Sequence, residues 1–284
     1  MGQNSKIEWT HHTFNPWWGC LKVSAACKHC YAETWALRLG LELWGGKRTA
    51  RRFFSDAHWR EPLKWNAEAS KEGARRRVFC ASMADVFEDR RDLDPWRARL
   101  WPIIENTPML DWLLLTKRPQ HIRDFVPWRK RWPANVWIGT TAENQKYARE
   151  RIPLIVDLPA TVRFVSCEPL LGALDLAPWL AAPRRRGIDW VIAGGESGHH
   201  SRPMNPVWAE DLRDQCLTRK VPFHFKQWGH WGPQSAADRR AVATVEVLGR
   251  GGDKITMFRL GKKETGRLLG GRTWDGVPMP MGWG

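Results

Sequence analysis

The sequence predicts an α/β fold, a partial or complete parallel (β/α) barrel of about six to seven strands with a small C-terminal β appendage. Three observations predict it. Short apolar runs recur at residues 78–82, 112–116, 136–140, 162–166, 190–194 and 223–226, each followed by a stretch with helical character. Polar residues gather just behind the runs: Ser82 and Asp85; Thr116, Lys117 and Arg118; Thr140, Glu143 and Asn144; Cys167 and Glu168; Glu196 and Ser197; Lys226 and Gln227. A barrel brings all such strand ends to one mouth, whereas an open sheet brings together only those near its switch point. Past Trp228 the pattern changes, and residues 243–248 and 254–260, split by a Gly-rich turn, read as a β-hairpin.

Taken in order, a first strand is expected within residues 7–14. After Cys30, the residues Trp35, Ala36, Leu39 and Leu43 share one face at helical spacing. Residues 44–77 are Arg-rich and irregular, and read as an insertion that faces substrate. The apolar runs are short, rich in β-branched and aromatic residues, and bounded by polar, Gly or Pro residues, as buried parallel strands are. Asp94-Pro95 opens a helix, with Asp94 as N-cap and Pro95 in the first turn. Residues 144–156 and 206–219 supply further helices. Strand–helix alternation implies right-handed crossovers. The domain division expected is 1–228 for the barrel and 229–284 for a basic β extension that closes it or meets a partner.

Composition narrows the class. The 284 residues are 43% hydrophobic, enough for a real core, and no long apolar run predicts a membrane span. The polar start, with no apolar stretch behind it, predicts no secretory signal. Six cysteines without a disulfide framework predict a reducing, cytoplasmic setting. Lys and Arg exceed Asp and Glu by 45 to 30, a net charge of +15, which favours a polyanionic partner such as nucleic acid. The runs Arg75-Arg76-Arg77, Arg129-Lys130-Arg131 and Arg184-Arg185-Arg186 contribute, and also suit solvated loops. Twenty tryptophans are unusual, and several alternate with cations, as in Trp59-Arg60, Trp96-Arg97 and Trp128-Arg129. Aromatic faces beside cations suit base stacking, although most tryptophans pack in cores.

The most informative motif is Cys20, Cys27 and Cys30, spaced C-x6-C-x2-C behind Asn15-Pro16-Trp17-Trp18-Gly19. Three thiolates on one loop can hold three irons of a [4Fe-4S] cluster and leave the fourth for a small molecule. Zinc is the rival, with the Cys27–Cys30 pair as a knuckle and His11, His12 or His29 as a further ligand. Cys80, Cys167 and Cys216 each stand alone and offer no second knuckle. Three buried thiols are the remaining reading.

A cysteine triad after the first strand, followed by a helix and a β/α series, resembles the radical S-adenosylmethionine superfamily. More narrowly the chain resembles an uncharacterised phage-associated branch. The stretches that carry this are 13–20, 27–33, Leu115-Thr116-Lys117-Arg118-Pro119, Ser166-Cys167-Glu168-Pro169-Leu170, Gly194-Gly195-Glu196-Ser197-Gly198 and Gly266-Arg267-Leu268-Leu269. The superfamily commonly has C-x3-C-x2-C with an aromatic residue before the third cysteine, where His29 stands here. Its Gly-Gly-Glu stretch follows the second strand, a place held here by Ser82-Met83-Ala84-Asp85.

The resemblance implies Cys20, Cys27 and Cys30 as cluster ligands and S-adenosylmethionine on the open iron, cleaved by one electron to a 5′-deoxyadenosyl radical. An electron donor is an implied partner. The expected cofactor contacts are Ser82, Asp85, Thr140, Glu143, Glu168, Gly194, Gly195 and Glu196. Lys117, Arg118 and Lys226 are expected to meet substrate phosphates, and Cys167 to donate a hydrogen atom to a substrate radical, as in radical-based reversal of DNA lesions. The alternatives are a radical enzyme acting on a peptide or small metabolite, and a zinc-stabilised nucleic-acid-binding protein without catalysis.

Overall fold

A computed structural model of the chain describes residues 2–181, 186–233 and 241–279. Seven strands form one sheet in the order of the chain: β1 (His12–Thr13), β2 (Arg76–Cys80), β3 (Leu110–Thr116), β4 (Val136–Thr141), β5 (Val162–Cys167), β6 (Trp190–Gly194) and β7 (Phe223–Gln227). Parallel pairing with sequential order is the half-barrel arrangement predicted above. The strands are almost wholly buried, and Val, Leu, Ile, Phe and Trp predominate on both faces of β3 to β6; β4 and β5 have no exposed position. A separate three-stranded antiparallel sheet, ordered β8 (Trp231–Gly232), β10 (Lys254–Arg259) and β9 (Thr244–Leu248), contains the predicted hairpin.

The chain divides into two compact units. The first comprises Met1–Ser24, Ala32–Thr140 and Asp157–Arg163, and the second Ala25–Tyr31, Thr141–Val156 and Phe164–Gly284. In the first unit the helices are α1 (Tyr31–Arg38, all but its first residue), α2 (Asp56–Glu72), α3 (Asp94–Glu105) and α4 (Ile122–Phe125). Helix α2 corrects the irregular reading of 44–77. Its buried face is Trp59, Pro62, Trp65 and Ala69 at helical spacing, and Gly73 ends it at φ 62°. Three further boundaries differ. β1 is two residues long, α1 stops at Arg38, and Leu93 caps α3 while Asp94 is already helical.

In the second unit the helices are α5 (Gln145–Arg151), α6 (Pro206–Arg219) and α7 (Lys262–Thr265). Asn144 caps α5 by accepting from Tyr147 N at 3.3 Å, and Asn205 caps α6 by accepting from Val207 N at 3.0 Å. Such a cap is worth about 1 kcal/mol. Pro206 sits in the first turn, where no amide is needed. Of the Arg run at 184–186, Arg184 and Arg185 lie outside the described residues. No helix among the described residues is long and apolar enough to cross a membrane.

Candidate active site

The predicted site residues fall in both units. In the first, the stretch before Cys20 is fastened by its own sequence. Phe14 and Trp17 are fully buried. Asn15 accepts from Met83 N at 2.7 Å and donates to Ser82 Oγ at 3.1 Å, so Ser82 is held inside the fold. Gly19 has φ 110°, and a Cβ there would stand 2.5 Å from the Leu43 carbonyl oxygen and 2.8 Å from Arg51 Cδ. Only glycine fits. Behind it, Arg51 is buried against Glu88 at 2.6 Å and donates to the Leu43 carbonyl at 3.0 Å.

Asp85 is the hub of this unit. Its carboxylate accepts from Thr116 Oγ1 at 2.7 Å, Arg118 Nη1 at 2.8 Å, Phe87 N at 3.0 Å and Lys117 N at 3.1 Å. Burial alone would raise the Asp85 carboxyl, but Arg118 and these hydrogen bonds outweigh it and hold it below the ordinary carboxylate value. Arg118, also buried, donates to the Leu21 carbonyl at 2.6 Å and lies 3.6 Å from Cys20 Sγ. Burial pushes the Cys20 thiol up to about 12, with the Arg118 charge opposing. The predicted phosphate contact Arg118 is thus engaged with Asp85 and the Cys20 segment. Lys117 stays half-exposed, and Thr140 is buried, donating to the Thr116 carbonyl at 2.9 Å.

In the second unit, Cys27 ends a helical turn, Ala25–Cys27, and Cys30 precedes α1. Two predicted carboxylates reach that turn. Glu143, fully buried, accepts from Ala26 N at 3.4 Å and pairs with Arg151 at 2.9 Å. Glu196 takes Arg202 N at 2.8 Å and pairs with its guanidinium at 2.5 Å, and Arg202 donates to the Ala25 carbonyl at 3.0 Å. Arg151 and Arg202 were not foreseen, although Arg151 lies two helical turns beyond Glu143. Glu168 and Lys226 form a half-exposed pair at 2.5 Å.

A Cβ on Gly194 would make ordinary contacts, 3.4 Å from the Gln227 carbonyl oxygen and 3.6 Å from Glu168 Cγ. On Gly195 it would collide with the Trp228 carbonyl. The second glycine is therefore required by packing against Trp228. Cys167 ends β5 fully buried, and burial raises its thiol well above the ordinary value.

No disulfide joins any of the six cysteines, so all three triad members are available as thiols. Among the described residues no group of three or more His, Cys, Asp or Glu side chains is placed to hold a metal ion. The donor chemistry nonetheless suits an iron–sulfur cluster: three thiols, one of them beside a guanidinium that favours the thiolate.

Comparisons with known proteins add a family and a set of neighbours. The profile of the family described as protein of unknown function (DUF5131) matches residues 4–278, and the chain belongs to that family. No curated protein shows significant similarity. Among solved structures, the chain is similar to a tyrosine-to-phenylalanine variant of spore photoproduct lyase, with 12% identity and a TM-score of 0.46 over 93% of this chain and 72% of that one. A cysteine-to-alanine variant of the same lyase with a dinucleoside spore photoproduct gives 12% identity and a TM-score of 0.45 over the same shares.

Proposed function

We propose that this family member is a radical S-adenosylmethionine enzyme acting on nucleic acid, in repair or modification of DNA. The observation that carries the reading is where the strand-end charges go. Asp85 and Arg118 hold the Cys20–Leu21 backbone, while Glu143, Glu196 and Arg202 hold the turn that ends in Cys27. Desolvating charges is costly. Committing these groups to two short pieces of one cysteine-bearing stretch supports a functional demand on the shape of that stretch.

In this reading Cys20, Cys27 and Cys30 ligate a [4Fe-4S] cluster. When bound, cluster and S-adenosylmethionine supply one-electron sulfonium cleavage and hydrogen-atom abstraction. A Cys20 thiol near 12 gives up its proton on ligation, so loading releases protons. Asp85, Glu143 and Glu196 act mainly as positioning residues. Ser82, Thr140, Glu168 and the Gly194 backbone remain the candidates for S-adenosylmethionine, and Lys117 and Lys226 for phosphate.

Cys167 is the hydrogen donor of this scheme. Its burial keeps the S–H bond intact at neutral pH, the form that hydrogen-atom donation needs. The net charge of +15 supports the polyanionic substrate. An electron donor, a cytoplasmic setting, and a division at 228/229 into barrel and basic extension complete the proposal.

The test is incubation of anaerobically prepared protein with dithionite and S-adenosylmethionine. 5′-Deoxyadenosine is expected, and its loss in Cys20→Ala, Cys27→Ala and Cys30→Ala. Iron-replete protein that releases none under these conditions would contradict the proposal.

A further inference from the structure

Next to the Cys20 segment, in the first unit, the chain exposes a cation with no acidic partner among the described residues. Arg52 is exposed, and its guanidinium lies 5.0 Å from the Trp18 ring centre and 5.8 Å from that of Phe54. Its backbone is fastened to Trp18, with Arg52 N to Trp18 O at 3.0 Å and Trp18 N to Arg52 O at 2.9 Å. Among the described residues it forms no ion pair. Its neighbour Arg51 has the opposite fate, buried on Glu88. Arg52 is therefore a charge held in place by two aromatic faces and left open to an incoming anion.

Phe53 follows it in the chain. Phe53 stacks on Trp96 with centroids 4.3 Å apart and planes 10° apart, yet remains 37% exposed. Trp96 in turn stacks on buried Trp59 at 6.0 Å, and Arg99 covers the Trp59 face at 4.6 Å. The exposed ring thus has a rigid backing. Of the tryptophans that alternate with cations in the sequence, Trp59 and Trp128 are buried and Trp96 is half-exposed. Its chain neighbour Arg97 is buried, donating to the Val86 carbonyl at 2.8 Å, and Arg99 is paired with Asp56 at 2.6 Å, so the exposed cation on this aromatic strip without an acidic partner among the described residues is Arg52.

We propose that Arg52 and Phe53, supported by Trp18, Phe54 and Trp96, form a nucleotide-binding edge. Arg52 takes a backbone phosphate, and the exposed Phe53 ring stacks an unpaired base. A fixed guanidinium and an open aromatic ring on successive residues offer the phosphate and stacking contacts of single-strand recognition. Bases inside a duplex have both faces covered, so the occupant is single-stranded or locally unpaired nucleic acid. The inference rests on the nucleic-acid reading above and deepens it.

The test uses the full chain, prepared anaerobically, and fluorescence anisotropy of a labelled deoxythymidine oligonucleotide over a series of salt concentrations. Phe53→Ala is expected to weaken binding by roughly 5- to 150-fold, the loss of one stacked base. Arg52→Gln is expected to reduce the slope of log affinity against log salt by about 0.7, and Arg52→Lys to keep the slope. Both residues are exposed, and thermal melting checks that the fold is intact; if Phe53→Ala melts early, Arg52→Gln decides alone. Salt-dependent binding by the wild type, with affinity and slope unchanged in both variants, overturns the edge and leaves the nucleic-acid reading standing. No salt-dependent binding by the wild type overturns both.

Discussion

Replacing Asp85 by Ala removes the acceptor of four hydrogen bonds at once. The side chains of Asp85 and Arg118 are 8% and 7% exposed, so the guanidinium left behind stays largely desolvated. It keeps the Leu21 carbonyl at 2.6 Å and loses its counter-charge. Breaking one side of a buried pair costs about 3–5 kcal/mol. The Thr116 hydroxyl and the Phe87 and Lys117 amides also lose their acceptor, at roughly 1–3 kcal/mol each if water cannot reach them. These losses share one site and do not add, so about 3 kcal/mol is the working minimum. With a slope of about 3 kcal/mol per molar urea, the midpoint falls by about 1 M or more. The double variant Asp85→Leu/Arg118→Leu is expected to recover much of that loss, because it removes the unpaired charge. Iron content after anaerobic reconstitution should fall in Asp85→Ala, since Arg118, no longer fixed by Asp85, holds the Cys20 segment less firmly. A midpoint within about 0.3 M of wild type, with iron unchanged, would refute the reasoning.

Further predictions separate packing, charge and chemistry. Gly195→Ala should destabilise by about 1–3 kcal/mol through collision with the Trp228 carbonyl, whereas Gly194→Ala should be nearly neutral; thermal melting distinguishes them. His11 and His12 are lowered to about 4, first by burial and then by the neighbouring arginines. They are neutral in the folded state, so the unfolded chain binds more protons, and stability is lost as pH falls from about 6.5 towards 4. Asp111 works in the opposite sense: burial raises it to about 6 despite Arg75, so below that pH the folded state takes up a proton before the unfolded chain does, which adds stability as pH falls. Melting temperatures between pH 7 and 4.5 should therefore fall less in His12→Gln and more steeply in Asp111→Asn than in wild type. Cys167→Ala should leave iron content unchanged and alter rate or product distribution once a substrate is in hand; unaltered products would remove the donor role.

The parallel strands were legible because each is an apolar run bounded by polar residues, and α6 because Asn205-Pro206 writes its start in the chain. Helix α2 was hidden. Its buried face is four residues among many charges, and Pro62 reads as a breaker in a pattern where the structure seats it on the core side. The positions of these residues at strand ends were legible in the sequence, but their partners were not. Sequence shows that Arg118 is charged and does not show that Asp85, 33 residues earlier, neutralises it. The link from Glu143 to Ala26 spans 117 residues, and that from Arg202 to Ala25 spans 177. Such contacts follow from the return of successive strands to one sheet and leave no local signature. Arg52 and Phe53 escaped for a related reason, because their aromatic partners lie on other elements and composition alone does not separate an exposed ring from a buried one.

The most direct test of the central claim is the iron, sulfide and zinc content of protein purified without oxygen, together with its visible spectrum. A [4Fe-4S] protein will carry about four irons and four sulfides per chain and show a broad brown absorbance that bleaches on reduction. One zinc per chain and no colour would contradict the cluster assignment and place Cys27 and Cys30 in a structural zinc site.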